Sequence, residues 1–279
     1  MKVVILAGGF GKRIIEEEIK PKPLIEIGNL PILCHIMKIY SFYGHNDFII
    51  CLGYKGYNIK EYFKNFVYHV SDFTVHLSPD YISFHNPLTE KWNITLADTG
   101  ENTETGGRLK RIQKYIGNET FMMTYGDGLA RININHLINH HKYYGKYATI
   151  LAVNPPSKFG AISFNKNDCR INKFQEKVSS KAFINGGFFV LEPEIFDYIE
   201  DDKTSWESDC LPRLVKDKQL FGYKHYDFWK CMDSIKDKEE LCKMWNEGKA
   251  PWKMWESSKK ILNSLKKKRI FPFLKIKPF

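Results

Sequence analysis

Glycines and cations near the start of the chain are suited to binding phosphate. The stretch GGFGKR, residues 8–13, has three glycines among its first four residues and ends in Lys12 and Arg13. Glycine lets backbone N–H groups approach phosphate oxygens, and the N-terminus of a following helix attracts anions. Two known signatures fail, because GxGxxG needs glycine where Ile14 stands and the P-loop needs Ser or Thr where Arg13 stands. A tight turn with exposed cations is the alternative.

Lys22 adds a cation whose backbone is restrained. It lies between Pro21 and Pro23, and the proline rings limit the φ angles on both sides of it. A preorganised positive charge suits the negative charge that develops during phosphoryl transfer. Together with residues 8–13, Lys22 favours a site for a polyphosphate.

Two aspartates are candidate metal ligands. Asp127 follows an apolar run in TYGDG, and Asp233 lies in CMDS just ahead of a predicted helix. Mg²⁺ that arrives with a nucleotide typically takes one or two carboxylates plus phosphate oxygens and water. A turn role for Asp127 and a helix-capping role for Asp233 are the alternatives, and the pattern alone leaves them open.

The elements that must position these residues alternate along the chain. Apolar runs and helical spacing predict, respectively, strands over 3–7, 47–53, 121–128 and 147–153, and helices over 31–44, 57–70 and 134–145. This alternation indicates βαβ units in a parallel sheet, whose ligands bind at the carboxyl ends of the strands.

The pattern changes after about residue 155. Three runs separated by turn residues, FGAISFN, CRINKFQEK and GGFFVLEP, predict a small β-rich sub-region that covers the edge of the parallel sheet. Helices are expected again over 193–200, 206–217 and 234–247. We therefore predict one α/β domain over residues 1–256, followed by a tail over 257–279.

Composition narrows the class of protein. The 279 residues are 43% hydrophobic, which supports a real core. We find no apolar run of membrane-spanning length and expect no signal peptide. The six cysteines are scattered and form no CxxC pair, which favours reduced thiols and a cytoplasmic location.

Most of the net charge of +10 lies in the tail, which contains eight basic residues and no acidic one. A nucleic-acid-binding protein would carry a basic stripe on its folded body, so we predict no nucleic-acid partner. We expect the tail to be poorly ordered or to contact a partner subunit. Contact with an anionic membrane surface is a less favoured alternative.

Several longer stretches match one known family: LAGGFGKR, KPKPLIEIG, WNITLADTG, TGGRLKR, TYGDG, NGGFFVL and FWKCMDS. Through them, residues 1–256 resemble the sugar-1-phosphate nucleotidyltransferases almost continuously. The resemblance implies a Rossmann-like α/β fold with a mixed, mainly parallel sheet flanked by helices. It also implies CTP and glucose 1-phosphate as substrates, Mg²⁺ as cofactor, and a homo-oligomer. The implied reaction yields CDP-glucose for polysaccharide biosynthesis, with release of pyrophosphate.

The resemblance also implies roles for particular residues. Catalysis would depend on Arg13 and Lys22, and the metal would be held by Asp127 and Asp233. The implied nucleotide site comprises Leu6, Ala7, Gly8, Gly9, Gly11, Lys12, Arg13, Lys22, Thr105, Gly106, Arg108 and Gly126. The implied sugar-phosphate site comprises Glu176, Lys177, Asn185 and Gly186. For Arg111, in contrast, we favour a solvated helix face.

The sequence departs from the family's usual residues at three positions, one of them His35, where cytidylyltransferases carry tryptophan. Lys12 stands where the family usually has threonine, and Val178 follows FQEK where proline is usual. The departures bear on the choice of nucleotide and sugar phosphate more than on the type of reaction. The same reaction with another nucleotide or sugar phosphate, or a non-catalytic sugar-nucleotide-binding subunit, remains the alternative.

Overall fold

A seven-stranded sheet forms the centre of the molecule. The computed structural model describes residues 1–9, 20–85, 90–154, 161–164, 171–175 and 183–256. The strands are β1 Val3–Leu6, β2 Glu26–Ile27, β3 Leu30–Pro31, β4 Asp47–Leu52, β5 Asp72–Leu77, β6 Asp80–His85, β7 Asn93–Asp98, β8 Phe121–Tyr125, β9 Gly128–Ala130, β10 Ala148–Val153, β11 Ala161–Phe164, β12 Ile171–Gln175, β13 Ile184–Leu191, β14 Leu220–His225 and β15 Trp229–Cys231. The central sheet has the order β14-β10-β13-β8-β1-β4-β7.

Helices cover both faces of this sheet. They are α1 Ile32–Phe42, α2 Gly56–Lys64, α3 Phe66–Val70, α4 Thr105–Ile116, α5 Ile134–Tyr144, α6 Leu211–Lys216 and α7 Ile235–Asn246. Short 3-10 helices span Lys22–Leu24 and Pro193–Tyr198, and Trp206–Cys210 forms a turn of π-helix. In the described ranges, no helix combines the length and the apolar character that a membrane crossing requires.

Strand β1 shows why the apolar run near the start of the chain is continuous. It pairs in parallel with β4 on one side and β8 on the other. Val3 and Ile5 belong to a core cluster that includes α1 and α5, whereas Val4 and Leu6 belong to a cluster that includes α4. A strand buried on both faces has no polar side, so its residues do not alternate.

The predicted fold class is confirmed: the sheet is mixed but mainly parallel, with helices on both faces. One placement was wrong. The run GGFFVLEP contributes β13 to the central sheet, antiparallel to β8 and β10, and not to a separate β-rich region. The reason is burial, because residues 186–191 are all buried and only the interior of the sheet offers such an environment.

Several other expectations find their place. Strands β11 and β12 form a separate antiparallel pair, as expected for FGAISFN and CRINKFQEK. The helix expected over 206–217 is a π-turn that continues into α6. The predicted tail, 257–279, lies outside the described residues.

Candidate active site

Two carboxylates converge on one lysine. The Lys22 ammonium donates to Asp127 Oδ2 at 2.8 Å and to Asp233 Oδ1 at 2.9 Å. The three side chains are 17–34% exposed, so a ligand can still reach them. Residues that are far apart in the sequence therefore form one polar cluster, as the resemblance requires.

A short strand pair brings the two aspartates together. Asp127 directly precedes β9 and Asp233 lies two residues after β15, and these strands are antiparallel with Gly128 opposite Cys231. The backbone N–H of Met232 also donates to the Asp127 carbonyl at 2.9 Å. This ladder fixes both carboxylates at the same end of the sheet, beside the end of β8.

The cluster keeps Lys22 charged. Burial alone lowers the pKa of the Lys22 ammonium, but Asp127 and Asp233 together outweigh burial, and the net shift of this pKa is upward. The cation therefore holds its proton throughout the neutral range. The Lys22 ammonium also shows that the Asp127 and Asp233 carboxylates are both placed to face one positive charge.

This donor set fits a magnesium ion that arrives with a nucleotide. Mg²⁺ prefers oxygen ligands and often takes only one or two carboxylates from the protein. Within the described residues, no group of three or more His, Cys, Asp or Glu side chains is arranged to hold a metal ion. Asp127 and Asp233 would thus supply two ligands, and phosphate oxygens and water would supply the others.

Asp233 is held from more than one direction. Its Oδ2 accepts from the Cys231 thiol at 2.9 Å, and its backbone N–H donates to Asp237 Oδ2 at 3.2 Å. Asp237 is buried and forms an ion pair with Lys230 at 3.0 Å. Ser234 caps α7 by accepting from the Asp237 N–H at 3.2 Å. The aspartate predicted as a metal ligand is therefore preorganised by the start of α7.

A cavity of about 670 Å³ opens beside the Lys22 cluster, at the carboxyl ends of the strands. Nine of the predicted site residues line it: Leu6, Ala7, Gly8, Gly9, Lys22, Thr105, Arg108, Gly126 and Asp127. Gly126 allows the ends of β8 and β1 to lie close together, because a Cβ at residue 126 would lie 3.0 Å from the Leu6 carbonyl oxygen. The glycine turn, the lysine and the first aspartate therefore border one cavity large enough for a nucleotide.

Arg108 lies under one wall of this cavity and is only 4% exposed. Its guanidinium donates to the carbonyls of Gly8, Leu52, Gly100 and Glu101 at 2.7–3.2 Å and to the Thr99 hydroxyl at 2.9 Å. These acceptors follow β1, end β4 and follow β7, so one side chain ties three loops together. All of these acceptors are neutral, and burial lowers the Arg108 pKa.

Asn185 and Gly186 lie on β13, on the far side of Tyr125 from the glycine turn. The Asn185 amide donates to the Tyr125 hydroxyl at 3.1 Å, and its Oδ1 accepts from the Gly187 N–H at 2.8 Å. The Gly186 carbonyl accepts from the Trp229 indole at 2.7 Å. The two predicted sugar-phosphate residues therefore lie beside β8, on the side opposite to β1 and the glycine turn.

Some predicted residues lie elsewhere or outside the description. Gly106 packs against the backbone of Thr204, where a Cβ would lie 2.6 Å from the Thr204 carbonyl oxygen. Arg111 is exposed and pairs with Asp202, which confirms the expected solvated face. Five predicted site residues lie outside the described ranges: Gly11, Lys12, Arg13, Glu176 and Lys177.

Sequence reasoning missed two side chains of the site. Tyr125 lines the cavity, and Glu207 accepts hydrogen bonds from both Tyr125 and Thr105. Tyr125 stands in the motif TYGDG, directly before the predicted site residues Gly126 and Asp127. For Glu207 no signal was present, because SWESD matches none of the phosphate, metal or sugar patterns.

Comparison with known proteins defines the class. The family model described as Nucleotidyl transferase matches residues 2–246. The chain therefore belongs to the nucleotidyl transferase family, and the resemblance seen in the sequence is confirmed. Within that family it is 51% identical to glucose-1-phosphate cytidylyltransferase of Salmonella typhimurium, over 92% of this chain and 100% of the relative.

Two further comparisons agree with this class. A probable glucose-1-phosphate cytidylyltransferase of Bacillus subtilis is 46% identical over 91% of this chain and 100% of the relative. A solved UDP-glucose pyrophosphorylase in complex with UDP-glucose superimposes with a TM-score of 0.62, covering 88% of this chain and 98% of that chain. Its sequence identity of 16% means that this likeness shows the fold alone.

Proposed function

We propose that the chain is a glucose-1-phosphate cytidylyltransferase, which converts CTP and α-D-glucose 1-phosphate to CDP-glucose and pyrophosphate. The convergence of Lys22, Asp127 and Asp233 beside the nucleotide-sized cavity carries the proposal. The strong similarity to glucose-1-phosphate cytidylyltransferases supports the choice of substrates. CDP-glucose made in this way would feed the synthesis of polysaccharide sugars.

The reaction needs alignment and charge neutralisation more than acid–base chemistry. A phosphate oxygen of glucose 1-phosphate attacks the α-phosphorus of CTP and forms the new P–O bond. The bond from the α-phosphorus to the bridging oxygen breaks, and pyrophosphate leaves with the electron pair. Because a phosphate oxygen is already negatively charged, no proton has to be removed from it. Catalysis then depends on in-line positioning and on cations near the transferred group.

Lys22 is the described cation best placed for this role. Its ammonium contacts two carboxylates, and its upward-shifted pKa keeps it positive while negative charge develops on the α-phosphate. Asp127 and Asp233 would hold Mg²⁺, which supplies further charge neutralisation when it is bound. Arg13, outside the described residues, is proposed as a second cation on the phosphates. Glu176 and Lys177, also outside them, are proposed with Asn185 and Gly186 to hold the sugar phosphate.

Residues of the cavity wall would bind the rest of CTP. Leu6, Ala7, Gly8 and Gly9 would approach the nucleotide through the backbone, and Gly126 would leave room for the ribose. We further propose that residues 1–256 form the catalytic domain and that copies of it assemble into a homo-oligomer in the cytoplasm.

A matrix of pyrophosphate-release assays tests the proposal. Four nucleoside triphosphates are each combined with glucose, galactose, mannose and N-acetylglucosamine 1-phosphates in the presence of Mg²⁺. We expect the highest kcat/KM for CTP with glucose 1-phosphate. A maximum in another well would keep the reaction and change the substrates. Absence of release in every well would favour a non-catalytic binding subunit.

A matched pair of lysine variants tests the role of the cluster. Lys22→Ala is expected to lower kcat strongly, because the transition state loses an adjacent cation. Lys20→Ala is the control, since Lys20 is 55% exposed on its side chain and pairs with Glu26 away from the aspartates. Equal loss in both variants would count against the proposed role of Lys22.

A further inference from the structure

Glu207 connects two parts of the site that the sequence treats separately. Its Oε2 accepts from the Thr105 hydroxyl and its Oε1 from the Tyr125 hydroxyl, both at 2.5 Å. Thr105 and Tyr125 both line the nucleotide cavity. Glu207 itself lies in the π-turn Trp206–Cys210, and such turns often occur at functional sites.

The hydrogen bonds of this group run in one direction. A carboxylate only accepts hydrogen bonds, so the Tyr125 hydroxyl must use its single O–H to donate to Glu207. The Tyr125 oxygen is then left to accept from the Asn185 Nδ2 at 3.1 Å.

Asn185 is thereby held in one orientation. Its Nδ2 faces Tyr125, and its Oδ1 accepts from the Gly187 N–H at 2.8 Å. The strand also makes room for the tyrosine ring, because Gly187 has a φ of 76° and a Cβ there would lie 2.7 Å from Tyr125 Cδ2. A flip of the amide would place two donors opposite each other at Gly187.

The nucleotide side is fixed by the same carboxylate. The Thr105 hydroxyl donates a hydrogen bond to Glu207 and accepts one from the Trp206 N–H at 2.9 Å. Ser205 adds a weaker contact to Oε2 at 3.3 Å. Two residues that line the cavity, Thr105 and Tyr125, therefore have their hydroxyl groups oriented by Glu207.

We propose that Glu207 is a positioning residue that orients Asn185 toward the sugar phosphate, acting through the Tyr125 hydroxyl. This inference rests on the proposed function, which assigns Asn185 to the sugar phosphate. Tyr125 is the relay, and Thr105 is the branch of the same network on the nucleotide side. The residue is predicted to affect sugar-phosphate binding without touching the substrate.

Kinetic constants of three variants test the relay. Glu207→Ala, Tyr125→Phe and the double variant are compared with the control Glu194→Ala, which removes an exposed carboxylate on the 3-10 helix Pro193–Tyr198. We expect the two single variants to raise the KM for glucose 1-phosphate about tenfold, the scale of one charge-assisted hydrogen bond. The KM for CTP should change less than threefold in Tyr125→Phe, because Thr105 keeps its partner there.

Non-additivity distinguishes a relay from two separate contributions. If Glu207 acts on Asn185 through Tyr125, the double variant should bind glucose 1-phosphate no more weakly than Glu207→Ala alone. Multiplied effects in the double variant, or a KM for glucose 1-phosphate within threefold of wild type in Tyr125→Phe, would overturn the proposal. Should Glu207→Ala fail to fold, Tyr125→Phe still decides.

A crystal structure of Tyr125→Phe supplies a readout that is independent of activity. We expect the Asn185 amide to leave its present orientation once its acceptor is gone. An Asn185 side chain that is unchanged in this variant contradicts the inference. A wild-type chain without pyrophosphate release would contradict the proposed function alone, since the orientation of Asn185 is still measured.

Discussion

Two cations border the same cavity, and their surroundings are opposite. Lys22 contacts two carboxylates and is partly exposed, whereas Arg108 is buried and contacts four backbone carbonyls and one hydroxyl. The carboxylates raise the pKa of Lys22, and burial lowers the pKa of Arg108. Arginine keeps its proton even so, because its ordinary pKa lies far above the neutral range.

The difference indicates that Lys22 is suited to a chemical role and Arg108 to a structural one. A lysine with anionic partners can exchange them for phosphate or leave them to a metal ion, so its charge takes part in the chemistry. An arginine that uses its donors on carbonyls of three loops acts first on the shape of the cavity. Its charge is not neutralised by those carbonyls and still favours an anion nearby. Substitutions in the Lys22 cluster should therefore lower mainly kcat, whereas substitution of Arg108 should lower mainly the free energy of unfolding.

The largest effect is expected at the carboxylates beside Lys22. Asp127→Asn and Asp233→Asn should each lower kcat at least about a thousandfold, roughly 4 kcal/mol, since the proposed magnesium site would lose half of the negative charge that the protein contributes to it. Pyrophosphate release as a function of Mg²⁺ concentration measures this. The control is Asp80→Asn on the exposed β5–β6 hairpin, away from the cavity. A variant at 127 or 233 with unimpaired turnover would exclude that residue from the metal site.

A smaller effect, mainly on the stability of the fold, is expected from substitution of Arg108. Arg108→Gln should lower the free energy of unfolding by about 2–4 kcal/mol, because buried carbonyls lose their donors. It should also raise the KM for CTP, as the loops at Gly8 and Glu101 lose their common support. Urea unfolding and steady-state kinetics measure these changes.

Arg111→Gln is the matched control, on the same helix and one turn away. Arg111 pairs with Asp202 at the surface, where water and salt screen the interaction, so little change in stability is expected. If Arg108→Gln proved equally harmless, the role of Arg108 in shaping the cavity would be lost.

His35 extends the comparison to a buried base that can lose its proton. It is fully buried, donates from Nε2 to the Ile27 carbonyl at 2.9 Å and accepts from the Trp252 indole at 3.4 Å. Burial lowers its pKa from 6.5 to about 4. Between these values the unfolded chain binds the proton and the folded chain does not, so stability falls as the pH drops from 6.5 to 4.

This loss should reach about 3 kcal/mol at pH 4. Urea unfolding between pH 7.5 and 4.5 measures most of it. His35→Gln is expected to flatten the slope in this range even if it lowers stability at neutral pH. His136→Gln, at an exposed position, should leave the slope as it is. An unchanged slope in His35→Gln would assign the acid sensitivity to other groups.

The smallest effect is expected from adding single methyl groups to the glycine turn. At Gly8 a Cβ would lie 2.3 Å from Arg108 Nη1 and 2.9 Å from the Gly53 nitrogen, whereas at Gly9 no heavy atom of the described residues lies within 4 Å of such a Cβ. Gly8→Ala should cost about 1–3 kcal/mol of unfolding free energy, and Gly9→Ala much less. Equal melting temperatures for the two variants would contradict the close packing of Arg108 under Gly8.

Four strands of the central sheet, β1, β4, β8 and β10, could be predicted from their apolar runs, whereas β7 and β14 were not predicted and β13 was assigned to the wrong region. Runs such as residues 3–7 and 121–128 are apolar and end in glycine, and segments with the apolar spacing of a helix lie between them. The ladder between β9 and β15 could not be predicted, because strands of three residues are too short to show a period. That ladder is nevertheless what joins the two aspartates.

The site was predictable where a motif marked it. Resemblance separated Arg108 from Arg111, although both are arginines on one helix, and the structure buries the first and exposes the second. The bonds of Arg108 to carbonyls could not be foreseen, since those carbonyls belong to loops that meet only in the folded chain. Glu207 was missed for the same reason: its partners come from α4 and β8.

The β9–β15 ladder has a consequence for the newly made protein. The ribosome adds about 5–20 residues per second, so Asp127 emerges several seconds before Asp233. During that interval a nascent chain holds the glycine turn and Lys22, with only one of the two acids. Synthesis must reach residue 233, just ahead of α7, before the pair is complete, so the proposed metal site is one of the last features of the domain to form.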